Sequence, residues 1–312
     1  MPMNIRQARV IDPVLSNHIR GYRNADFVAQ VLFPRVPVKR RGGTMIEFGN
    51  EAFRLQKTRR APGAKTETYQ LGYAGRPYAL HQERLQAIVP DEVGDEAKNG
   101  PGIDLEKASV ETTWEKILLG LEVEAATIAR DPAHYASGNT VALSGTDLWT
   151  DPNSDPEQLI GDAKGTVRRR IGRNPNTLLL SASAFEAFKR HPKVKEQFKY
   201  TSSKSITTAM AAEYLGVARV VVGSGVYLPA TAPDDAEAQD IWGNDAILTY
   251  VPLAGRTMLE PSFAYTYQLR GTPAVQKGWY DPDRMGWLYP VISEHAPVIV
   301  GPDAGFLIQN VA

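Results

Sequence analysis

The chain contains no cysteine in 312 residues. That excludes disulfides, thiol nucleophiles and cysteine-ligated metals. It also lacks an excess of either charge: 35 Lys and Arg face 35 Asp and Glu, for a net charge of zero. Global electrostatics therefore draw it neither to nucleic acid nor to an anionic membrane. No apolar run approaches the ~20 residues that span a bilayer. The opening MPMNIRQARVIDP has no apolar stretch like that of a signal peptide, so a cytosolic setting, or a particle assembled there, is expected. The five histidines, His18, His81, His134, His191 and His295, are scattered without metal-ligand spacing. A G-x-S-x-G nucleophile elbow is absent as well.

The few motif-like stretches have structural readings. Gly223-Ser224-Gly225 follows a predicted strand, as a dinucleotide loop would. Leu228 stands where the third glycine should be, and Pro229 where a helix should begin, so a turn is expected. Asp151-x-Asn153-x-Asp155 resembles the start of a calcium loop. Pro156 replaces its turn glycine, and Asp155 before Pro156 reads as a helix cap. Asp91, Glu92, Asp95 and Glu96 are read as solvated residues of a loop. Arg168, Arg169, Arg170 and Arg173 close a predicted helix where cations favour the dipole. No catalytic residue, cofactor site or metal site is expected.

What is present is a long amphipathic pattern. In residues 103–131, Trp114, Ile117, Leu118, Leu121, Ala125 and Ile128 recur at steps of three and four, the stripe of one helix about 40 Å long. Asp104 can cap its start, and Pro132 stops it. Charge is unevenly spread: residues 1–60 carry a net +8, and residues 91–131 a net −7. A basic arm held apart from an acidic helix suits pairing between copies; solvated faces are the plainer reading.

Residues 1–43 are broken by Pro13, Pro34 and Pro37, yet Tyr22, Phe27, Val28, Val31, Leu32, Phe33, Val36 and Val38 make them too apolar for disorder. Such an arm must dock on its own body or on a neighbour; a neighbour is expected, with Phe27 and Phe33 among the contacts. Asn24 is placed to cap a short helix ended by Pro34. Residues 44–89 alternate as strands, forming a long hairpin with Pro62-Gly63 near its tip. After the connector PDEVGDEAKNGPG and the long helix, strands and helices interleave: a helix over 156–172, the strand NTLLLS, helices in ASAFEAFKRHP and TTAMAAEYLG, and the strand ARVVVG. This is a layered α/β unit. From Asp240 the pattern returns to strands: ILTYVP, SFAYTYQLRG and VISEHAPVIVG.

Specific stretches match a known family. GYRNADFVAQVLFPRVPV (21–38), EAFRLQKTRRAPGA (51–64), PDE (90–92), LWTDPNSDPEQLI (148–160), NPNTLLLSASAFEAFKRHP (174–192), DIWGNDAILTYVP (240–252) and PSFAYTY (261–267) resemble the major capsid proteins of tailed bacteriophages. The resemblance implies an α+β fold of the Hong Kong 97 type. It would have an N-terminal arm (1–43), an extended loop (44–89) and a peripheral domain (90–134) with its spine helix at 103–131. An axial domain (135–250) and C-terminal strands returning to the peripheral domain (251–312) would complete it.

It further implies a non-enzymatic subunit of hexamers and pentamers in an icosahedral shell enclosing double-stranded DNA. The partners would be copies of itself, a scaffolding protein, a portal and a decoration protein, with DNA held non-specifically and no membrane. The setting would be the virion, after assembly in the host bacterial cytoplasm. Because the chain starts almost at the arm, any scaffold is expected as a separate protein. Arg54, Lys57, Arg59 and Arg60 of the hairpin are expected to approach Glu111, Glu115 and Glu122 on the helix of an adjacent copy. The alternatives are an encapsulin-like compartment shell, and a hydrolase or nucleotide-binding enzyme with its site in the α/β middle.

Overall fold

The computed structural model describes residues 11–22, 24–46, 55, 58–59, 63, 65, 75–99, 104–199, 206–233, 235–253 and 260–312, with the side chains of residues 13, 46, 98 and 99 excepted. The N-terminal part contains β1 (Ile11–Asp12), α1 (Pro13–Gly21), α2 (Ala29–Leu32) and β2 (Arg35–Val38). The carboxylate of Asp12 accepts hydrogen bonds from the backbone N–H groups of Val14 and Leu15, and Pro13 occupies the first position of α1, where no N–H is needed. β3 (Gly42–Ile46) and β4 (Gly75–Ala79) pair antiparallel from Gly42↔Ala79 to Ile46↔Gly75, the stem of the expected hairpin. Its expected tip around Pro62 lies outside the described residues except for single positions such as Gly63.

β5 (His81–Pro90) leads into α3 (Asp91–Asn99), a helix where a loop was expected, and then the spine helix α4 (Leu105–Arg130). Asp104 caps α4 by accepting from the Lys107 N–H at 3.2 Å. The predicted stripe is the buried face: Trp114, Ile117, Leu118, Leu121 and Ala125 are all buried, whereas Ile128 is half-buried.

The middle of the chain supplies β6 (Thr140–Ala142), α5 (Pro156–Ile171), β7 (Thr177–Ser181), α6 (Ala182–Arg190), α7 (Pro192–Phe198), α8 (Thr208–Leu215), β8 (Arg219–Gly223), β9 (Val226–Tyr227), β10 (Gln239–Asp240) and β11 (Ala246–Thr249). Pro192 ends α6 and also opens α7, where its fixed φ suits a first helical turn. The final strands are β12 (Ala264–Leu269), β13 (Ala274–Gln276), β14 (Trp279–Asp281), β15 (Gly286–Ile299) and β16 (Gly305–Gln309).

Two sheets organise these elements. The first runs β1-β13-β15-β12-β2, with β14 and β5 also paired to β15. β15 is 14 residues long and pairs with β5 along Gly286–His295. The second runs β6-β16-β11-β7-β8. The expectation that residues after about 250 all return to the first sheet is corrected at β16, which pairs antiparallel to β11 and parallel to β6. The physical reason lies in burial on both faces of the second sheet. Leu178, Leu180, Leu248 and Ile308 pack with Val167 and Phe188 on one side. Leu179, Ile247 and Leu307 pack with Ala125, Ala126, Phe33 and Phe263 on the other. Buried on both faces, the short apolar runs LLL and AIL need no alternation.

The arm is corrected too: residues 11–38 dock on their own chain. β1 pairs with β13 and β2 runs parallel to β12. Phe33, expected at a neighbour, is fully buried within its own chain, edge-on to Phe263 with ring centroids 6.3 Å apart. Phe27 is half-buried against the cluster of Ile19, Val110 and Trp114. Asn24 does not cap α2; its side-chain oxygen Oδ1 accepts from the Asp26 N–H at 2.9 Å.

Candidate assembly interface

The acidic face of α4 is engaged by the same chain. His18 Nε2 lies 2.6 Å from Glu111 Oε1. Asn24 Nδ2 donates to Glu115 Oε1 at 2.7 Å. Both carboxylates thus anchor the chain's own arm through α1 and the turn after it. Glu111 and Glu115 stay half-buried under that arm, so the expected landing strip for a neighbour is largely occupied.

Glu122 is a stronger correction. It is 2% exposed, and three donors converge on its carboxylate. The backbone N–H groups of Val28 and Ala29 donate to Oε1 and Oε2, at 2.8 Å for each closest pair, and Trp242 Nε1–H donates to Oε1 at 2.8 Å. Burial pushes the Glu122 pKa above the usual carboxylate range, and the three donors pull against that shift. The side chain joins the arm, the spine helix and the loop before β11. Of the basic partners expected on the hairpin, Arg59 is exposed, and Arg54, Lys57 and Arg60 lie outside the described residues.

Ion pairs fix the remaining junctions. Arg41, after β2, makes a two-pronged contact with buried Glu294 of β15: Nε to Oε2 at 2.6 Å and Nη2 to Oε1 at 2.8 Å. Tyr78 of the stem stacks on Tyr267 of β12 with ring centroids 4.5 Å apart. The aromatic residue at the hairpin base therefore rests on its own sheet. At the far end of α4, Arg130 Nε meets Asp245 Oδ2 at 2.6 Å, tying the helix to the second sheet.

The motif-like stretches resolve into structure. Gly223 ends β8 against the Trp242 ring, where a Cβ would collide, so its role is close packing. Asp155 caps α5 by accepting from the Gln158 N–H, and it pairs with Lys193 at 3.1 Å. Asp151 accepts from Asn153 in a tight turn. Arg170 pairs with Asp303 at 2.9 Å, and Arg173 donates to the Tyr250 hydroxyl at 2.8 Å. His191 is buried, with Nε2 at 3.2 Å from both Ser154 Oγ and the Asp151 carbonyl oxygen. His295 is buried with Nδ1 at 2.9 Å from Ser293 Oγ; burial first, then Arg35 and His81, lower its pKa to about 4.

One surface went unread in the sequence. β5, α3 and the outward side of α4 enclose an apolar groove of about 460 Å³, lined by Leu85, Ile88, Val89, Val93, Leu105 and Ala108 among others. Leu85, Ile88 and Val93 are 39–49% exposed. At the same end of the first sheet Trp279, Tyr280 and Trp287 are exposed, with Tyr280 edge-on to Trp287. The available signal was Leu85, Ala87 and Val89 at alternate positions in β5, which marked a strand face without saying what covers it.

A spine helix laid across a long antiparallel sheet, a hairpin stem beside it and a second α/β layer beyond define a shell-forming coat subunit of the Hong Kong 97 type. The family model described as phage major capsid protein E matches residues 135–300, over half of the chain. The chain is 37% identical to the major capsid protein of Burkholderia phage BcepMu, across 98% of each sequence. The chain belongs to the phage major capsid protein family. Its fold is similar to the crystal structure of a phage-related protein from Bordetella bronchiseptica RB50, with 40% identity, a TM-score of 0.85, and coverage of 98% and 99% of the two chains. A capsid structure of cyanophage P-SCSP1u, 10% identical, shares the fold alone, at a TM-score of 0.56 over 89% and 86% of the chains.

Proposed function

We propose that the chain is the head-shell subunit that assembles with copies of itself into hexamers and pentamers of an icosahedral capsid around double-stranded DNA. The carrying observation is identity with a phage major capsid protein along almost the whole chain, arm and hairpin included. That observation favours a phage coat over an encapsulin-like compartment, which fold alone would not separate. The subunit works by geometry and catalyses no reaction. Its α/β middle is packed by Trp149, Phe188 and the leucines of β7, which suits a rigid wedge better than a hydrolase pocket.

DNA is held through Lys and Arg contacts to phosphate, without sequence preference, so retention weakens as salt rises. The further partners are a scaffolding protein, a portal and a decoration protein, with assembly in the host bacterial cytoplasm. Electron microscopy and sedimentation of the expressed protein test the reading. Closed shells or free hexamers are expected. A monodisperse monomer under every assembly condition would overturn it.

A further inference from the structure

Arg168, Arg169, Arg170 and Arg173 fall within six residues at the end of α5. Cations favour a helix C-terminus, but like charges this close repel one another, so the cluster costs stability unless each charge is matched. The fold matches one of the four. Arg170 pairs with Asp303 at 2.9 Å and also donates to the Ser137 carbonyl oxygen. Arg173 is held without being neutralised: it donates to the Tyr250 hydroxyl at 2.8 Å, with its guanidinium carbon 5.4 Å from the centre of that ring. Arg168 and Arg169 are exposed, and among the described residues neither meets a carboxylate. Arg169 donates to the Thr166 hydroxyl at 3.4 Å. Residues 163–185 contain no Asp or Glu at all. The next basic cluster along the chain is matched at home instead, Lys189 and Arg190 by Glu186 and Lys193 by Asp155.

The surface around these arginines is low and polar. Gly161 and Gly165 sit on the same side of α5, and a Cβ at Gly161 would meet nothing within 4 Å, so packing within the chain does not call for a glycine there. A contact between proteins is centred on apolar side chains. No large apolar side chain between residues 156 and 176 is exposed. Guanidinium forks take phosphate oxygens in pairs. At helical rise, residues 168–173 span about 8 Å. Over that length duplex DNA carries roughly four or five negative charges.

We propose that Arg168, Arg169 and Arg173 form a contact for the phosphate backbone of the enclosed duplex DNA, which puts this end of α5 on the inner wall of the shell. This rests on the coat-subunit reading above and gives its DNA contact a place. Tyr250 positions Arg173, while Arg170 stays with Asp303 and ties the helix end to the fold. The contact meets phosphate and no base edge, so it is indifferent to sequence.

Unassembled capsomers titrated with a fluorescent duplex of about 20 base pairs, across a salt series, test this. Each phosphate contact adds about 0.9 to the slope of log affinity against log salt. Arg168→Gln, Arg169→Gln and Arg173→Gln together should lower that slope by about 2–3 and weaken binding roughly tenfold at low salt. Lysine at the same three positions keeps the charge and should keep the slope. Lys195→Gln, Arg270→Gln and Lys277→Gln together remove equal charge from other exposed sites and should leave the slope unchanged.

Electron microscopy should find shells from all of these chains. An unchanged slope in the triple arginine variant, or an equal fall in the triple lysine-and-arginine control, would overturn the proposal. So would loss of shells by the triple arginine variant at an unchanged melting temperature, which would make the patch a contact between protein copies. Should those three changes unfold the chain, Arg168→Gln with Arg169→Gln, which leaves Tyr250 its partner, decides by a fall in slope of about 2 or none. No shells from the unsubstituted chain would instead overturn the coat-subunit reading.

Discussion

Glu122 shows how one side chain can carry a junction. Its carboxylate satisfies two backbone N–H groups at the start of α2 and the indole N–H of Trp242, all out of water. Removing it with Glu122→Ala strands three donors, each costing on the order of 1–3 kcal/mol when buried without a partner. A loss of roughly 3 kcal/mol or more is expected in urea unfolding of the unassembled subunit. Glu122→Gln should cost less, because its amide keeps one acceptor, though its NH₂ now opposes a backbone N–H.

His295 gives a pH dependence whose sign follows from its environment. Folded, its pKa is about 4, against 6.5 for an ordinary histidine, so between those values the unfolded chain binds a proton that the folded chain refuses. Stability should be unaffected by this residue above pH 6.5 and fall as pH drops from 6.5 towards 4, by up to about 3 kcal/mol. Denaturation midpoints measured across that window should flatten in His295→Gln relative to the unsubstituted chain. Arg35 and His81 face the same imidazole and reinforce the effect, since each disfavours a second positive charge.

At the scale of elements, the spine helix depends on its buried face more than on its length. Trp114 is 2% exposed in a cluster with Ile19, Val110, Leu118 and Val291, which joins α1, α4 and the first sheet. Trp114→Ala should cost about 3–5 kcal/mol, as large aromatic deletions in cores do, and should loosen α1 as well as α4. Limited proteolysis of the unassembled subunit would show the arm cut first. β8 gives a smaller test of close packing. A methyl group at Gly223 meets the Trp242 ring, so Gly223→Ala should lower stability by about 1–3 kcal/mol. A nucleotide-binding loop there would instead show weakened ligand affinity and little change in melting temperature.

For the whole molecule, the division of labour is between what the chain satisfies internally and what it leaves for other copies. The described part of the arm is satisfied internally, by β-pairing at Ile11–Asp12 and Arg35–Val38 and by the carboxylates of α4. The edge of β5 and the apolar groove have no such cover among the described residues. Reversing charge at Arg59 and Arg60 should reduce assembly most at low ionic strength, where surface charges reach about 10 Å or more, and least near 1 M salt. Light scattering of assembly reactions across a salt series measures this; equal assembly by both chains at low salt would exclude an electrostatic role for the pair.

The sequence by itself determined the elements whose signals are local. The stripe from Trp114 to Ala125 required a helix buried on that side, Asp104 and Pro132 set its ends, and the run NTLLLS read as a short buried strand. Family membership was legible because the matching stretches run in order along nearly the whole chain. Tertiary structure alone decided where those elements go. The apolar content of the arm said that it must dock, and only the strand pairing of β1 and β2 and the placement of Glu111, Glu115 and Glu122 showed that it docks at home. Charge along α4 looked like an outer face, yet Glu122 lies inside, because a carboxylate can be buried wherever enough N–H groups converge on it. The groove beside β5 depends on three elements separated by turns, and no local pattern encodes the space between them.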